Sequence, residues 1–370
     1  MATEVKLFSS LSKSEQSAIA QAKAAMSARF LGRPPGMKRP GVGLRAAAAA
    51  ASVAAHNVVG VGIDEKYVDG VPTGVHSIKF LVRTKVQPSA LSTSEKLPPS
   101  VDGIPTDVEE VGMIVPLATK AARAKAPAAT TMPNPKTKIR PAQPGCSTGF
   151  RDPTNTFIMA GTFGLVVKDT LNNIYVLSNN HVLADENGVE ADGVTTRRAL
   201  SPGAPVFQPG LLDGGKVATD QIAELTRWID LRADQTDNKV DGAIAKALQP
   251  ALVSRNILFI GPPTGTTVAT KDMIVQKFGR TTSYRAGRVS SVFFDVSIPY
   301  EVGEVMFSDQ IAIRGLNGKR FSDSGDSGSA ILERSSNKVV GLLFAGATNA
   351  NLTFGNHIAD VLSQLKVQLV

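Results

Sequence analysis

GDSGSAILERSSNKVVGLLFAG, residues 325–346, is a glycine-punctuated turn that runs into two short apolar segments. Ser327 stands between Gly325 and Gly328, and glycine allows the tight bends that let a hydroxyl project from a turn. In such a turn the N–H groups of Gly325 and Ser327 can point at one spot and form an oxyanion hole, where a single donor is worth roughly 2.7–4 kcal/mol of transition-state stabilisation. A chemically silent Gly/Ser/Asp turn has the same texture. That alternative is weaker here, because the loop leads directly into the strand-like AILE. Upstream, short strand-like runs recur between Gly, Asn and Asp clusters, at 161–167, 174–178, 242–247, 274–278, 286–294 and 311–314. This texture predicts an all-β sandwich or pair of barrels from residue 147 onward. Residues 358–367 carry Ile358, Val361, Leu362 and Leu365 on one helical face and predict a closing helix.

Two further stretches hold chemistry. YVLSNNHVL, residues 175–183, is a strand running into His181, and a strand end holds a general base rigidly. VDGAIA, residues 240–245, sets Asp241 among small and apolar neighbours. A buried carboxylate needs a partner, and an imidazole N–H is a fitting one. Asp230, Asp234 and Asp237 compete for that role, but their polar surroundings read as a loop, so Asp241 is preferred. Each signal alone has a structural explanation; the order His, Asp, Ser, spaced 60 and then 86 positions apart, leaves room for one barrel per half. His357, near the closing helix, reads as a cap-region residue. His56 and His76 have no partners at metal-ligand spacing, and Cys146 reads as an inert small residue. Neither a metal nor a cofactor is expected.

These motifs resemble those of trypsin/chymotrypsin-like serine proteases. The set SNNHVLA, VDGAIA, KFGRTT, GDSGSA and GLLFAG resembles a bacterial trypsin-like subgroup to which plant narrow-leaf proteins are also similar. The resemblance covers residues 146–370. It implies a mainly β, chymotrypsin-like double β-barrel with a small N-terminal α/β or α+β domain. It also implies a catalytic set of His181, Asp241 and Ser327, an oxyanion hole at Gly325 and Ser327, and Phe344, Ala345 and Gly346 flanking the substrate backbone. Phe321 stands where a trypsin-like pocket carries an acid, so a small or apolar side chain is expected at the cleavage site. The implied activity is that of a serine endopeptidase acting on protein or peptide substrates. In zymogen-type relatives the Asp before the nucleophile pairs with a freshly cut N-terminus. Asp326 therefore suggests activation by cleavage in the linker, against the alternative that it makes a local bond in a constitutively active enzyme.

The remaining chain divides by composition. Residues 1–55 read as a basic, partly disordered arm, with a helix over 10–29 opened by the capping box of Ser12 and Glu15. Residues 56–118 read as a small N-terminal unit, where NVVGVGI and SIKFLVRT form a hairpin about Asp69-Gly70 and Pro72-Thr73-Gly74. This unit is the candidate surface for a regulatory partner, and the rival to catalysis is a silent scaffold that binds through it. Residues 119–145, rich in Pro, Ala and Lys, read as an exposed linker. The net charge of +8 sits mostly in the arm and linker. Nucleic-acid binding by the arm is the less favoured reading, since no aromatics interleave with its charges. With one cysteine, no disulfide forms within the chain, which points to a reducing, cytoplasmic setting. There is no signal-peptide pattern and no membrane-length apolar run.

Overall fold

The computed structural model describes residues 8–31, 57–68, 71–93, 95–117, 119–120, 132–152, 158–188 and 200–370. The first α-helix among the described residues is α1 (Lys13–Phe30), capped by Ser12 and Glu15 as the sequence predicts. There follow β1 (Val58–Val68), β2 (Val71–Val82), β3 (Ser100–Val101), β4 (Ile104–Glu110), β5 (Ile114–Pro116) and β6 (Thr119–Lys120). β1 and β2 form the expected antiparallel hairpin, although the Asp69-Gly70 turn lies outside the described residues.

A first body contains β7 (Ser147–Phe150), β8 (Met159–Thr162), β9 (Leu165–Lys168), β10 (Ile174–Ser178), β11 (Pro205–Phe207), β12 (Gln221–Trp228) and β13 (Ala243–Ala247). Their order is β9-β10-β13-β12-β11-β7-β8. β8 runs on through Phe163-Gly164 into β9, so the two ends of this sheet are one continuous segment and the sheet closes on itself. A second body contains β14 (Ile274–Gly279), β15 (Ser283–Tyr300), β16 (Gly303–Gly315), β17 (Ala330–Glu333), β18 (Val339–Ala347) and β19 (Thr353–His357). Its order is β14-β17-β18-β19-β16-β15, and β14 also pairs with β15, which closes a second barrel. The helix Ile358–Gln364 and β20 (Gln368–Leu369) then return the chain to β9. Val176, Ile222 and Ala245 help fill the first barrel, and Val289, Ile313, Ile331 and Leu343 the second. All of these are fully buried.

Two segments sit differently from their reading in the sequence. The strands of 56–118 do not stand apart: β1 pairs with the far half of β15, and the second sheet continues β15-β1-β2-β4-β3. Close approach at this seam requires Gly62, where a Cβ would lie 2.3 Å from the Phe294 ring. Residues 119–145 are expected as exposed linker; of the described part, 132–145, half the positions are exposed, while Pro135, Ala142, Pro144 and Gly145 are buried. Ala142 is buried and exchanges backbone hydrogen bonds with Leu252 and Ser254. Proline-rich composition signals little intrinsic burial, yet a proline-bearing chain can still line a barrel whose backbone donors it satisfies.

α1 lays Ile19, Ala22 and Met26 against Val61, Ile78 and Phe80, an i, i+3, i+7 stripe. Lys23 reaches Asp295 at 2.5 Å and Asp309 at 2.7 Å. Lys239 also binds Asp309 at 2.7 Å. Burial tends to raise the Asp309 carboxyl, but hydrogen bonds and charge from Lys23 and Lys239 outweigh it and bring the pKa down to about 2. A depressed carboxylate stabilises the fold above its unfolded pKa, about 3.9, and that contribution is lost as pH falls through about 2. Docking of α1 is therefore expected to weaken between about pH 4 and pH 2, and Lys23→Met to remove much of that dependence. Limited proteolysis within α1 against pH would read it; an identical profile in both proteins would count against the ion pair.

Candidate active site

β10 and β13 are neighbours, with Ser178 opposite Ala243. The helical turn Asn180–Leu183 after β10 and the residues just before β13 therefore come to the same rim of the first barrel. This register places Nδ1 of His181 on Oδ2 of Asp241. Both residues are buried. The His181 backbone N–H donates to Oδ1 of Asp241 at 3.2 Å, and the Tyr300 hydroxyl donates to Oδ2 at 2.7 Å. The Asp241 backbone is held as well: its N–H donates to Asn356 and its C=O accepts from the Asn179 side chain. Burial first, and then the Asp241 charge, push the Tyr300 hydroxyl well above its ordinary pKa, so it remains a donor. Against a carboxylate Nδ1 acts as the donor, which leaves Nε2 outside that bond. Nε2 is buried and, among the described residues, has no hydrogen-bond partner.

The second barrel presents the loop before β17 across from this rim. Thr162 N–H donates to the Ser327 carbonyl at 2.8 Å, and Gly328 N–H to Leu343 at 2.8 Å. A Cβ on Gly161 would press on Val182 at 2.6 Å and on the Ser327 carbonyl at 3.0 Å, so the serine loop lies close to the segment bearing His181. Ser327 is fully buried, and its hydroxyl donates to the Phe344 carbonyl at 3.1 Å rather than to the imidazole. Gly325 adopts φ +100°, a left-handed conformation suited to glycine. The N–H groups of Gly325 and Ser327 converge on a single acceptor, the Leu117 carbonyl, the latter at 3.4 Å.

Asp326 turns the other way, into the second barrel. It lies 2.9 Å from Lys277, and both side chains are fully buried. It also accepts from the N–H groups of Thr281, Thr282 and Asp323 and from the Thr282 hydroxyl. Burial alone would raise its pKa; the Lys277 charge and these hydrogen bonds hold it below the usual carboxylate range. The sequence raised a fresh N-terminus as the partner of Asp326. In the intact chain Lys277 already fills that place, so this loop needs no cut to find a cation. Arg280 spans the two barrels, with Nε 2.5 Å and Nη2 2.8 Å from the Asp213 carboxylate. Buried ion pairs thus brace loops that have no disulfides. Cys146 is buried, and burial pushes its thiol up to about 12, which leaves it protonated and unreactive.

β18 carries Phe344, Ala345 and Gly346, and its outer edge is paired antiparallel with β5. Phe321 is fully buried in the same apolar cluster as Leu117. Beside Leu117 lies a small cavity lined by Arg320, Ser322, Gly346 and Thr353. The competing acids fall elsewhere: Asp230 accepts from the Trp228 indole. His357 precedes the closing helix and contacts the Val292 carbonyl. His56 lies outside the described residues. Among the described residues no cluster of side chains suits a metal ion, and no helix is long and apolar enough to cross a membrane.

No family model and no curated protein matches the chain. Solved structures do, among them bacterial proteases, a glutamic acid specific serine protease, kallikrein-related peptidase 10 and human heparin binding protein. Protease A of Thermobifida fusca is 16% identical over 61% of this chain and 97% of its own, with a TM-score of 0.41. Nocardiopsis protease is 11% identical over 60% and 95%, at 0.39. Cellulomonas bogoriensis chymotrypsin is 15% identical over 56% and 90%, at 0.37. The fold is assigned from the strand connections: two closed six-strand antiparallel barrels, with His181 and Asp241 on one and the Ser327 loop on the other. The chain has the chymotrypsin fold. Within that fold, sequence reasoning named His181, Asp241, Ser327 and the loop glycines as candidates, and it did not name Tyr300, Lys277 or Leu117, which the structure places against them. Lys277 had a signal, a charge inside the apolar strand-like KFG. Tyr300 and Leu117 had none, because only the register of β15 and β5 brings them to the site.

Proposed function

We propose that the protein is a serine endopeptidase in which Ser327 is the nucleophile, His181 the general base and then acid, and Asp241 the group that orients and stabilises the imidazolium. The observation that carries this reading is the convergence of the Gly325 and Ser327 N–H groups on one carbonyl oxygen; on the first barrel, an imidazole has its Nδ1 held by a buried carboxylate. In the working cycle the Ser327 side chain rotates from the Phe344 carbonyl towards Nε2 of His181. Its oxygen adds to a peptide carbonyl as the proton passes to Nε2, and the two amides hold the oxyanion. The amine leaves with that proton, and water releases the acyl group by the same route. The extended substrate pairs with 344–346. A reducing compartment suits a chain whose one thiol is buried and protonated.

A silent scaffold is the rival reading, favoured by the Ser327 hydroxyl pointing at Phe344 and by a cleft already filled by β5. Fluorophosphonate labelling separates the two. Leu117→Asp, which disfavours burial of this segment, is expected to label at Ser327 and to hydrolyse members of a peptide library. A folded Leu117→Asp protein that does neither would sink the proposal.

Tyr300 acts through Asp241 as a positioning residue. A hydrogen bond to a charged group contributes about 1.5–3 kcal/mol, and each 1.4 kcal/mol is about tenfold in rate. Tyr300→Phe keeps the ring against Phe307 and is expected to lower kcat about ten- to a hundredfold with KM unchanged. A rise in KM at constant kcat would assign Tyr300 to substrate binding instead.

A further inference from the structure

We propose that the protein cuts its own chain, intramolecularly, at the bond between Leu117 and Ala118, and that its cleft is built for peptides with a medium-sized aliphatic residue before the cut. This rests on the reading of Ser327 as a nucleophile. Residues 114–117 lie in the cleft as a substrate would. Pro116, Val115 and Ile114 pair antiparallel with Ala345, Gly346 and Ala347. The Leu117 N–H donates to the Phe344 carbonyl at 3.2 Å, the same oxygen that receives the Ser327 hydroxyl. The Leu117 carbonyl takes both convergent amides, from Gly325 and Ser327. Its side chain is 6% exposed. Gly346 makes room for it, since a Cβ there would stand 2.9 Å from Leu117 Cδ1.

A strand that merely braced a barrel would send its carbonyls to a neighbouring ladder. Here the ladder stops at Leu117, and its carbonyl goes to the amides beside the nucleophile. The chain is gripped on the far side too, where Thr119 and Lys120 pair with Ala160 and Met159 of β8. The chain is thus held on one side at Leu117, by the second barrel, and on the other at Thr119 and Lys120, by the first. Such fixation replaces an encounter between molecules, with effective molarities of up to about 10⁵–10⁸ M in well-oriented systems. Attack requires the Ser327 hydroxyl to leave the Phe344 carbonyl, which it now faces at 3.1 Å. The Ser327 oxygen bonds to the Leu117 carbonyl carbon and its proton goes to His181 Nε2. The C–N bond to Ala118 breaks, and the Ala118 amine takes that proton. Water then adds to the acyl group, gives a proton to His181, and frees the Leu117 carboxylate as Ser327 is reprotonated. The bulk of the N-terminal piece stays attached through β1 on β15 and through Arg314, 2.6 Å from Glu109.

Intact-mass spectrometry of the freshly purified full chain tests this. The expected products are one fragment ending at Leu117 and one beginning at Ala118, co-eluting on gel filtration, with a first-order rate independent of protein concentration. Ser327→Ala is expected to remain one chain, also when mixed with wild type. Leu117→Asp is expected to slow the cut at least a hundredfold while labelling with fluorophosphonate at Ser327. A wild-type chain that stays whole, or is cut at another bond, while Leu117→Asp labels and hydrolyses peptides would overturn the inference and leave the protease reading standing. A rate proportional to concentration, or cutting of the Ser327→Ala chain by wild type, would overturn the intramolecular step. Failure of both proteins to cut and to label would remove the protease reading and this inference with it.

Discussion

Ser327→Ala is expected to lower peptide hydrolysis about 10⁴–10⁶-fold while the chain unfolds at nearly the same temperature. The asymmetry follows from what the hydroxyl does. Its one structural bond is to the Phe344 carbonyl, which keeps the Leu117 N–H as a second donor. Its chemical role has no substitute in the variant, because the proposed nucleophilic oxygen itself is removed. The residual rate comes from the two convergent amides and from strand pairing with 344–346, which survive the change. The measurement is best made in the Leu117→Asp background, so that occupation of the cleft does not mask the loss. His181→Ala should cost about as much, and combining the two should cost little more, since groups that act as a unit are not additive. Near-wild-type turnover in Ser327→Ala would refute the assignment.

Lys277→Met is expected to have the largest effect on stability and to abolish activity as well. It strands the Asp326 carboxylate with no cation in a fully buried site. Breaking a buried pair on one side costs about 3–5 kcal/mol, a large share of the stability of an ordinary domain. Asp326 is adjacent to the nucleophile, and its hydrogen bonds to Thr281, Thr282 and Asp323 shape the loop that aims the Gly325 and Ser327 amides. Thermal denaturation together with the rate of peptide hydrolysis reads both consequences. Asp326→Asn in the same chain removes the stranded charge and should recover part of the stability but little of the rate, because the loop is then held by neutral bonds alone. The sign of the pH effect is fixed by the depressed Asp326 carboxyl. Its stabilisation is complete above the unfolded carboxylate pKa and is lost as pH falls through the lower folded value. Wild type should therefore lose stability in acid that Lys277→Met does not lose to the same extent. Equal melting temperatures for the two proteins at neutral pH would show that the pair carries no net weight.

The sequence alone determined the short-strand, glycine-punctuated texture, the helix opened by Ser12 and Glu15, the hairpin of β1 and β2, and the chemistry-bearing types at 181, 241, 325 and 327. These are local properties: turn residues, capping pairs and runs of β-branched residues act over a few positions, so they can be read in one dimension. Only the tertiary structure decided that β1 extends the second barrel, that Ala142 packs into the first, that Lys277 neutralises Asp326, and that Tyr300 caps Asp241. Each depends on strand register between segments far apart in the chain, where a shift of one residue reverses which face a side chain takes. Leu117 is the extreme case. Nothing in Ile-Val-Pro-Leu distinguishes it from other apolar runs, and its place beneath two amides comes from the pairing of β5 with β18, more than two hundred residues away.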